Sequence, residues 1–478
     1  MPEIPYSHLT IDGRSVLGVG PEIAVVNPAT EAEIARIASA SVDQVDEAVR
    51  AAARAFDDPS WSDPAFRAKT LRRFADLIEE NRDVLMDALI SEMGTPVNLT
   101  SNHVLTPATY LRWFADQALR DRSVELGANA TFSGVSRIVY RPVGVVAAIS
   151  AFNYPLLIGV SKPAAALAIG CTVVLLSSPQ APMAVNMLGS LIRQAGFPPG
   201  VFNVIAGGAE VGRALTEHPG VGKVTFTGSV DVGRKVMEQA AKGLRSVVLE
   251  LGGKSAAIML PGVDYKKYAF QLHARYARNA GQGCGSPTRI LVEESRYEEF
   301  CAASREIYAR LKVGDPRQPD TILGPVITSA QRDRIEAKIQ AAVDRGGEII
   351  AGGGRPDIER GWFLNPTLVG RLTNDDPLAR EELFGPVSVV LTYRDIDEAI
   401  AITNDSDLGL KTYLFGDRVQ CMALCGRLRV GTVQINGGSP LRPDAPMTGY
   451  KHSGVGSEWG EDGLREFVRP QHIDIAFG

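Results

Sequence analysis

Apolar positions recur at helical spacing through the first quarter of the chain. Within residues 41–56, Val45, Ala48, Val49 and Ala52 share one face behind a Ser/Asp start, the mark of an amphipathic helix. The same period predicts a helix over Ala65–Glu92, with Leu71, Phe74, Leu77, Ile78 and Leu85 inward, and another over Val104–Leu119 carrying Tyr110, Trp113 and Phe114. At 131–149 the pattern switches to alternation with β-branched residues, which predicts strands. From there to 252, strands are expected at Val143–Ile149, Thr172–Leu176, Val201–Ile205, Val224–Phe226 and Val247–Leu249. Helical stretches lie between them at 155–169, 182–195, 209–217 and 230–242. Apolar runs separated by helices cannot pair as hairpins, so a parallel sheet covered on both faces follows. Such sheets bind nucleotides at the carboxyl ends of their strands.

The second half repeats the alternation and predicts a second open α/β domain. Helices are expected at 264–280, 295–310, 329–345 and 396–403, with strands at 288–293, 348–351, 387–392, 411–415 and 430–435. The extended segment 467–478 is a candidate to pair with the ribbon at 131–141, and such protruding segments suit subunit contacts.

Composition narrows the function classes. The 478 residues are 45% hydrophobic and 22% charged, an ordinary globular balance with ample material for a core. Fifty basic against 55 acidic residues give a net charge of −5, which argues against nucleic acid or an anionic membrane as the main partner. No basic, apolar leader opens the sequence, and the uncharged stretch Pro163–Gln180 is short for about 30 Å of hydrocarbon and reads as buried core. Five cysteines, an odd and sparse set, suit free thiols in a reducing, cytoplasmic setting. Cys421 and Cys425 lie one helical turn apart, but no His or second Cys pair completes a zinc set, so no metal is expected.

Five segments carry candidate chemistry. Phe226-Thr227-Gly228-Ser229 turns from a strand into a helix start, where free N–H groups suit a phosphate, although an ordinary turn has the same form. Glu250 ends an apolar strand in Leu249-Glu250-Leu251-Gly252-Gly253-Lys254, where a carboxylate either faces water or is kept for a task. Cys284 is flanked by glycines in Gly281-Gln282-Gly283-Cys284-Gly285, a setting more exposed than that of an inert thiol. Asn153 follows a strand in Ala151-Phe152-Asn153-Tyr154-Pro155 and offers a fixed amide donor for an oxyanion. Glu381-Glu382-Leu383-Phe384-Gly385-Pro386 places an acidic pair before an aromatic residue and a turn.

In this order, and with Glu250 and Cys284 34 positions apart, the segments resemble the NAD(P)-dependent, non-phosphorylating aldehyde dehydrogenase superfamily across nearly the whole chain. The resemblance implies two open parallel-sheet α/β domains, one Rossmann-like for the cofactor and one bearing the catalytic thiol, with a small β oligomerisation ribbon. Residues 1–120 and 142–252 would form the dinucleotide-binding domain, 253–450 the catalytic domain, and 121–141 with 466–478 the oligomerisation segments of a homodimer or homotetramer. Cys284 would attack the aldehyde, Asn153 and the Cys284 amide would hold the oxyanion, and Glu250 would activate water to hydrolyse the thioester. Lys162 would serve the proton path and the cofactor ribose. Phe152, Gly228, Ser229, Leu251, Glu382 and Phe384 would contact the cofactor, NAD with NADP admitted.

Several positions depart from the family. Where it usually continues Lys-Pro-Ser-Glu, the chain reads Leu176-Ser177-Ser178-Pro179, which removes both a ribose-gripping cation and the carboxylate that disfavours a 2′-phosphate. A C-terminal relay Glu is matched by Arg469, so no role is carried to it, and Pro446-Met447-Thr448-Gly449 replaces Pro-Phe-Gly-Gly. Small residues at Ser161, Gly283, Gly285 and Gly437-Gly438, with Tyr154, Tyr110, Trp113 and Phe114 as walls, point to a bulky aryl or terpenoid aldehyde. Two other readings stand beside aldehyde oxidation. One is a coenzyme A-acylating enzyme, against which Glu250 argues; the other is a catalytically silent protein on the same scaffold.

Overall fold

The computed structural model describes residues 5–127, 134–438 and 442–476. Its largest sheet has eight strands, five of them parallel in the spatial order Phe202–Ala206, Thr172–Ser177, Val145–Ile149, Val221–Thr227 and Ser246–Glu250. The chain enters at Val145–Ile149, winds outward through Thr172–Ser177 and Phe202–Ala206, and then continues on the other side with Val221–Thr227. The winding reverses between Val145–Ile149 and Val221–Thr227, and the crevice beyond their carboxyl ends is where such sheets bind ligands.

The edges depart from the parallel pattern. His8–Ile11 pairs antiparallel with Phe202–Ala206 and forms a hairpin with Arg14–Leu17, while Gly454–Val455 lies antiparallel to Ser246–Glu250, with Gly454 opposite Glu250. These pieces of two to four residues are too short for an alternating pattern to show in the sequence. The helix expected over 65–92 is two helices, Pro64–Glu80 and Arg82–Met93. They break at Asn81, whose amide nitrogen turns back to the Leu77 carbonyl at 2.8 Å. Val97–Ala118 starts earlier than Val104 and packs on the helix Pro155–Ile169.

The second sheet runs Glu348–Ala351, Thr367–Gly370, Val387–Tyr393, Pro287–Glu293, Ser255–Met259, Lys411–Phe415 and Thr432–Ile435, all parallel except the first. Its pleat divides the core. Ala256, Ile258, Leu291, Val389, Leu391 and Leu414 join one hydrophobic cluster, while the alternate residues Ala257, Met259, Ile290, Val292, Val390 and Phe415 join the other. The strands Ser255–Met259 and Thr367–Gly370 are absent from the sequence-based expectation because both faces are buried and no alternation marks them.

Val468–Ala476 pairs antiparallel with Gly134–Pro142, from Val468 opposite Pro142 to Ala476 opposite Gly134, and Val124–Leu126 adds a third strand. The expected pairing of the C-terminal segment with the earlier ribbon is met there; 131–133, 477 and 478 lie outside the described residues. Among the described residues no helix is long and apolar enough to cross a membrane.

Candidate active site

A cavity of about 1520 Å³ lies between the two large sheets. The first sheet contributes carboxyl ends of strands and the loops beyond them, Ser150–Tyr154 and Thr227–Ser229. The second contributes amino ends, through Gly283–Ser286, Phe384, Lys411 and Thr432. Of the residues singled out in the sequence, Phe152, Asn153, Gly228, Ser229, Glu250, Leu251, Cys284, Glu382 and Phe384 all line it.

Cys284 reaches the cavity through a tight turn. Asn279 (φ 54°), Ala280 (φ 52°) and Gly281 (φ 73°) are consecutively left-handed, a conformation that costs energy in the two non-glycine residues. A hydrogen-bond network over-determines it. Asn279 Nδ2 donates to the Asn153 carbonyl at 2.9 Å, Gln282 Nε2 donates to the Asn279 carbonyl at 3.1 Å, and the Ile327 amide donates to Gln282 Oε1 at 2.9 Å. A side chain at Gly281 would run into the Gly385 carbonyl, and one at Gly253 into the Cys284 carbonyl, so backbone approaches backbone on both sides of the thiol segment. Asn153, 4% exposed, donates one Nδ2 hydrogen to the Gln282 carbonyl at 3.0 Å. The amide's second N–H is left for another acceptor.

The electrostatics are dominated by desolvation. Glu250 is 3% exposed, and neither of its carboxylate oxygens has a hydrogen-bond partner among the described residues. Burial, then the charge of Glu458, holds its pKa well above the usual carboxylate range, with Lys162 and Lys411 opposing. The half-buried Cys284 thiol is pushed up to about 12 by burial and by Glu250 and Glu382, with Lys411 opposing. Glu382 Oε1 accepts the Gly253 amide at 2.9 Å, and burial raises this carboxyl to about 7. The Phe384 ring (residue φ 57°) stands edge-on to Phe152 at 5.7 Å between centroids.

Two expectations need correction. Lys162 does not line the cavity: its side chain is fully buried, ion-paired with Glu458 and hydrogen-bonded to Thr225 Oγ1 at 3.1 Å, so a cofactor contact is not what its surroundings provide. Gly228 and Ser229 both line the cavity as expected; the Gly228 amide donates to the Glu250 carbonyl at 3.1 Å, and Ser229 caps the helix Val230–Ala241 that begins there. Of the four aromatic walls, only Tyr154 lines the cavity. Tyr110 and Phe114 are buried in helix packing and Trp113 packs at its margin, although Tyr110 supports the cavity-lining Trp459 edge-on at 4.9 Å. Ser161 is likewise buried away from the cavity.

Glu458 is the functional candidate that the sequence reading missed. Its carboxylate completes a buried line of Glu250, Lys162 and Glu458, whereas Arg469 is exposed on the outer ribbon. A signal was present: Lys162 sits in a helix where 13 of 15 residues are buried, and a buried ammonium requires a carboxylate somewhere in the chain.

A reversing parallel sheet facing a thiol-bearing second sheet across one cleft is the architecture of an NAD(P)-dependent oxidoreductase. The family model for aldehyde dehydrogenases matches residues 17–473. Aldehyde dehydrogenase C of Pseudomonas syringae, a mutant solved with NAD+ and octanal, is 36% identical; the match covers 98% of this chain and 96% of that one at a TM-score of 0.93. An NAD+ complex of the Bacillus cereus aldehyde dehydrogenase is 31% identical over 98% and 96% of the two chains, at a TM-score of 0.95. A point mutant of Staphylococcus aureus betaine aldehyde dehydrogenase, solved with NAD+, is 32% identical over the same shares, also at 0.95. The chain belongs to the aldehyde dehydrogenase family.

Proposed function

We propose that this enzyme oxidises an aldehyde to the carboxylic acid with NAD+, NADP+ being admitted, and that Cys284 is its nucleophile. The observation that carries the reading is the pair of unpartnered Glu250 oxygens beside the Cys284 thiol on one cavity wall. A buried carboxylate with its lone pairs free is a poor structural element and an effective base.

The residues at the other end of the cavity fit a dinucleotide. The Ser229-capped helix start offers N–H groups to a pyrophosphate, Glu382 has one oxygen fixed and one left for ribose hydroxyls, and Phe152 and Phe384 present ring surfaces. Bound NAD(P)+ would supply the hydride acceptor that brings the adduct on Cys284 to the oxidation level of a thioester. Pro179 places no carboxylate against a 2′-phosphate, and Arg213 and Lys235 line the same end.

Cys284 loses its proton to Glu250, and its sulfur bonds to the aldehyde carbon. The carbonyl oxygen becomes an oxyanion held by the free Asn153 N–H and the Cys284 amide. One such donor contributes roughly 3–4 kcal/mol. After oxidation, Glu250 takes a proton from water, whose oxygen displaces the Cys284 thiolate and releases the acid. The ion pair of Lys162 and Glu458 lies behind Glu250 and gives its proton a route away from the cavity. Leu99, Tyr154, Leu157 and Trp459 line the cavity beyond the thiol, room better suited to a bulky aldehyde than to acetaldehyde. The exposed face of Val468–Ala476 is the surface we assign to subunit assembly.

The test is absorbance growth of the reduced nicotinamide with aldehydes of graded size, with and without coenzyme A. Turnover independent of coenzyme A, and lost by at least about 10³-fold in Cys284→Ser, is the expected result. A requirement for coenzyme A, or undiminished turnover in Cys284→Ser, overturns it.

A further inference from the structure

The cavity walls on the aldehyde side carry Arg275, Arg278 and Lys411. None of the three makes an ion pair with a carboxylate among the described residues. Arg275 is fixed through neutral partners: it donates to Gln434 Oε1 and to the Gly437 carbonyl, each at 2.6 Å, and lies over the Tyr413 ring at 5.2 Å. Tyr413 in turn donates its hydroxyl to the Gly285 carbonyl at 2.7 Å, next to the thiol residue. Lys411 runs along Gly285, close enough that a side chain there would touch its Cδ, Cε and Nζ at 3.5–3.6 Å, and its ammonium has no hydrogen-bond partner among the described residues. Arg278, which is exposed, stands beside His103 and Tyr154, whose rings meet at 4.9 Å, and its guanidinium has no hydrogen-bond partner among the described residues.

Lys411 and Arg275, both partly buried on the cavity wall, repel each other and lose hydration, a cost that an arriving anion offsets, and the exposed Arg278 lines the same cavity. Burial draws the Lys411 pKa down and Arg275 adds to that, while Cys284 and Glu250 oppose, so Lys411 feels both the neighbouring cation and the acids of the site. A guanidinium offers a planar fork that matches a carboxylate, and an ammonium adds a point charge with three donors. Resting on the aldehyde-oxidising reading above, we propose that the substrate carries a carboxylate as well as its aldehyde, and that Arg278 and Lys411 receive it in a field strengthened by Arg275. A neutral aldehyde would leave those donors unmatched, which is how a polar pocket discriminates most sharply.

The experiment compares matched pairs on the purified enzyme: ω-oxo carboxylates of graded length against the corresponding alkanals, and 4-carboxybenzaldehyde against 4-methylbenzaldehyde. The carboxylate member of the best pair should have a kcat/KM at least about ten-fold higher, an advantage that shrinks with added salt. Arg278→Gln and Lys411→Met, each checked for an unchanged melting temperature, should bring that ratio toward one, and Arg278→Glu should reverse it. Neutral members used as well as or better than their partners in every pair overturn the proposal while leaving aldehyde oxidation intact. So does a Lys411→Met variant that slows both members equally together with an Arg278→Gln variant that leaves the ratio unchanged. Silence toward both members of every pair sinks the aldehyde-oxidising reading itself.

Discussion

The two arms of the cavity are built by different means. The end of the cavity proposed for the nucleotide is lined mainly by turns of the first sheet, at Phe152, Thr227–Ser229 and Leu251, with Glu382 and Phe384 added from the loop before Val387–Tyr393. The aldehyde arm is made by long side chains brought from five separate places: Leu99 and His103 from a helix, Tyr154 from a loop, Arg275 and Arg278 before the thiol, Lys411 and Tyr413 from a strand, and Trp459 near the C-terminus. A surface of backbone and small residues tolerates little variation of its geometry. A surface of side chains changes specificity at single positions without moving the fold. Glu250 and Cys284 sit where the arms meet.

The largest effect that sharpens this division is expected at Glu250. Because this carboxylate takes the proton of Cys284 as well as that of water in the proposed mechanism, Glu250→Gln should lower steady-state kcat by about 10²- to 10⁴-fold and also slow the first turnover of reduced nicotinamide, read by stopped flow. A full-rate first-turnover burst followed by slow turnover would confine Glu250 to hydrolysis of the acyl-enzyme. Unchanged kcat breaks the argument that its unpartnered oxygens are kept for chemistry.

The same contrast explains what was legible in the sequence. The parallel sheet, its helices and the cavity-lining Asn153, Gly228, Glu250, Cys284 and Glu382 lie in short contiguous motifs, where turn chemistry and strand ends announce themselves. The pairing of the C-terminal segment with the ribbon could also be read, because both pieces are extended. Glu458 could not: its partner Lys162 is nearly 300 positions away, and only the fold brings them together. Three of four aromatic walls were misplaced for a related reason. Helical periodicity shows that Tyr110 and Phe114 face inward, but not whether they face a core or a cavity.

On the nucleotide arm, Leu176 is the position where a cation is missing. It is buried at the end of Thr172–Ser177 yet lines the cavity. A lysine there can keep its stem in the apolar wall and place its ammonium toward a ribose hydroxyl. A hydrogen bond to a charged group contributes about 1.5–3 kcal/mol, so Leu176→Lys should lower the KM for NAD+ by roughly ten- to a hundred-fold. Little change in kcat/KM for the aldehyde at saturating NAD+ is expected alongside. An unchanged nucleotide KM would mean that Arg213 or Lys235 already fills the role.

The smallest expected effect is a pH dependence of nucleotide binding that the aldehyde arm should not share. Burial raises Glu382 to about 7, while the Gly253 amide, donating at 2.9 Å, favours the ionised form of the carboxyl. Below that pH the carboxyl is protonated and loses acceptor capacity; above it both oxygens can accept. Affinity for NAD+ should therefore rise as pH increases through about 7, by a few-fold, the scale of one hydrogen bond exchanged with water. Titration of NAD+ into the Cys284→Ser protein by fluorescence measures it free of turnover. Glu382→Gln cannot ionise, so its binding curve should be flat across the same range. A wild-type curve that is equally flat would show that Glu382 keeps one protonation state throughout, and the nucleotide arm would then owe its affinity to main-chain donors alone.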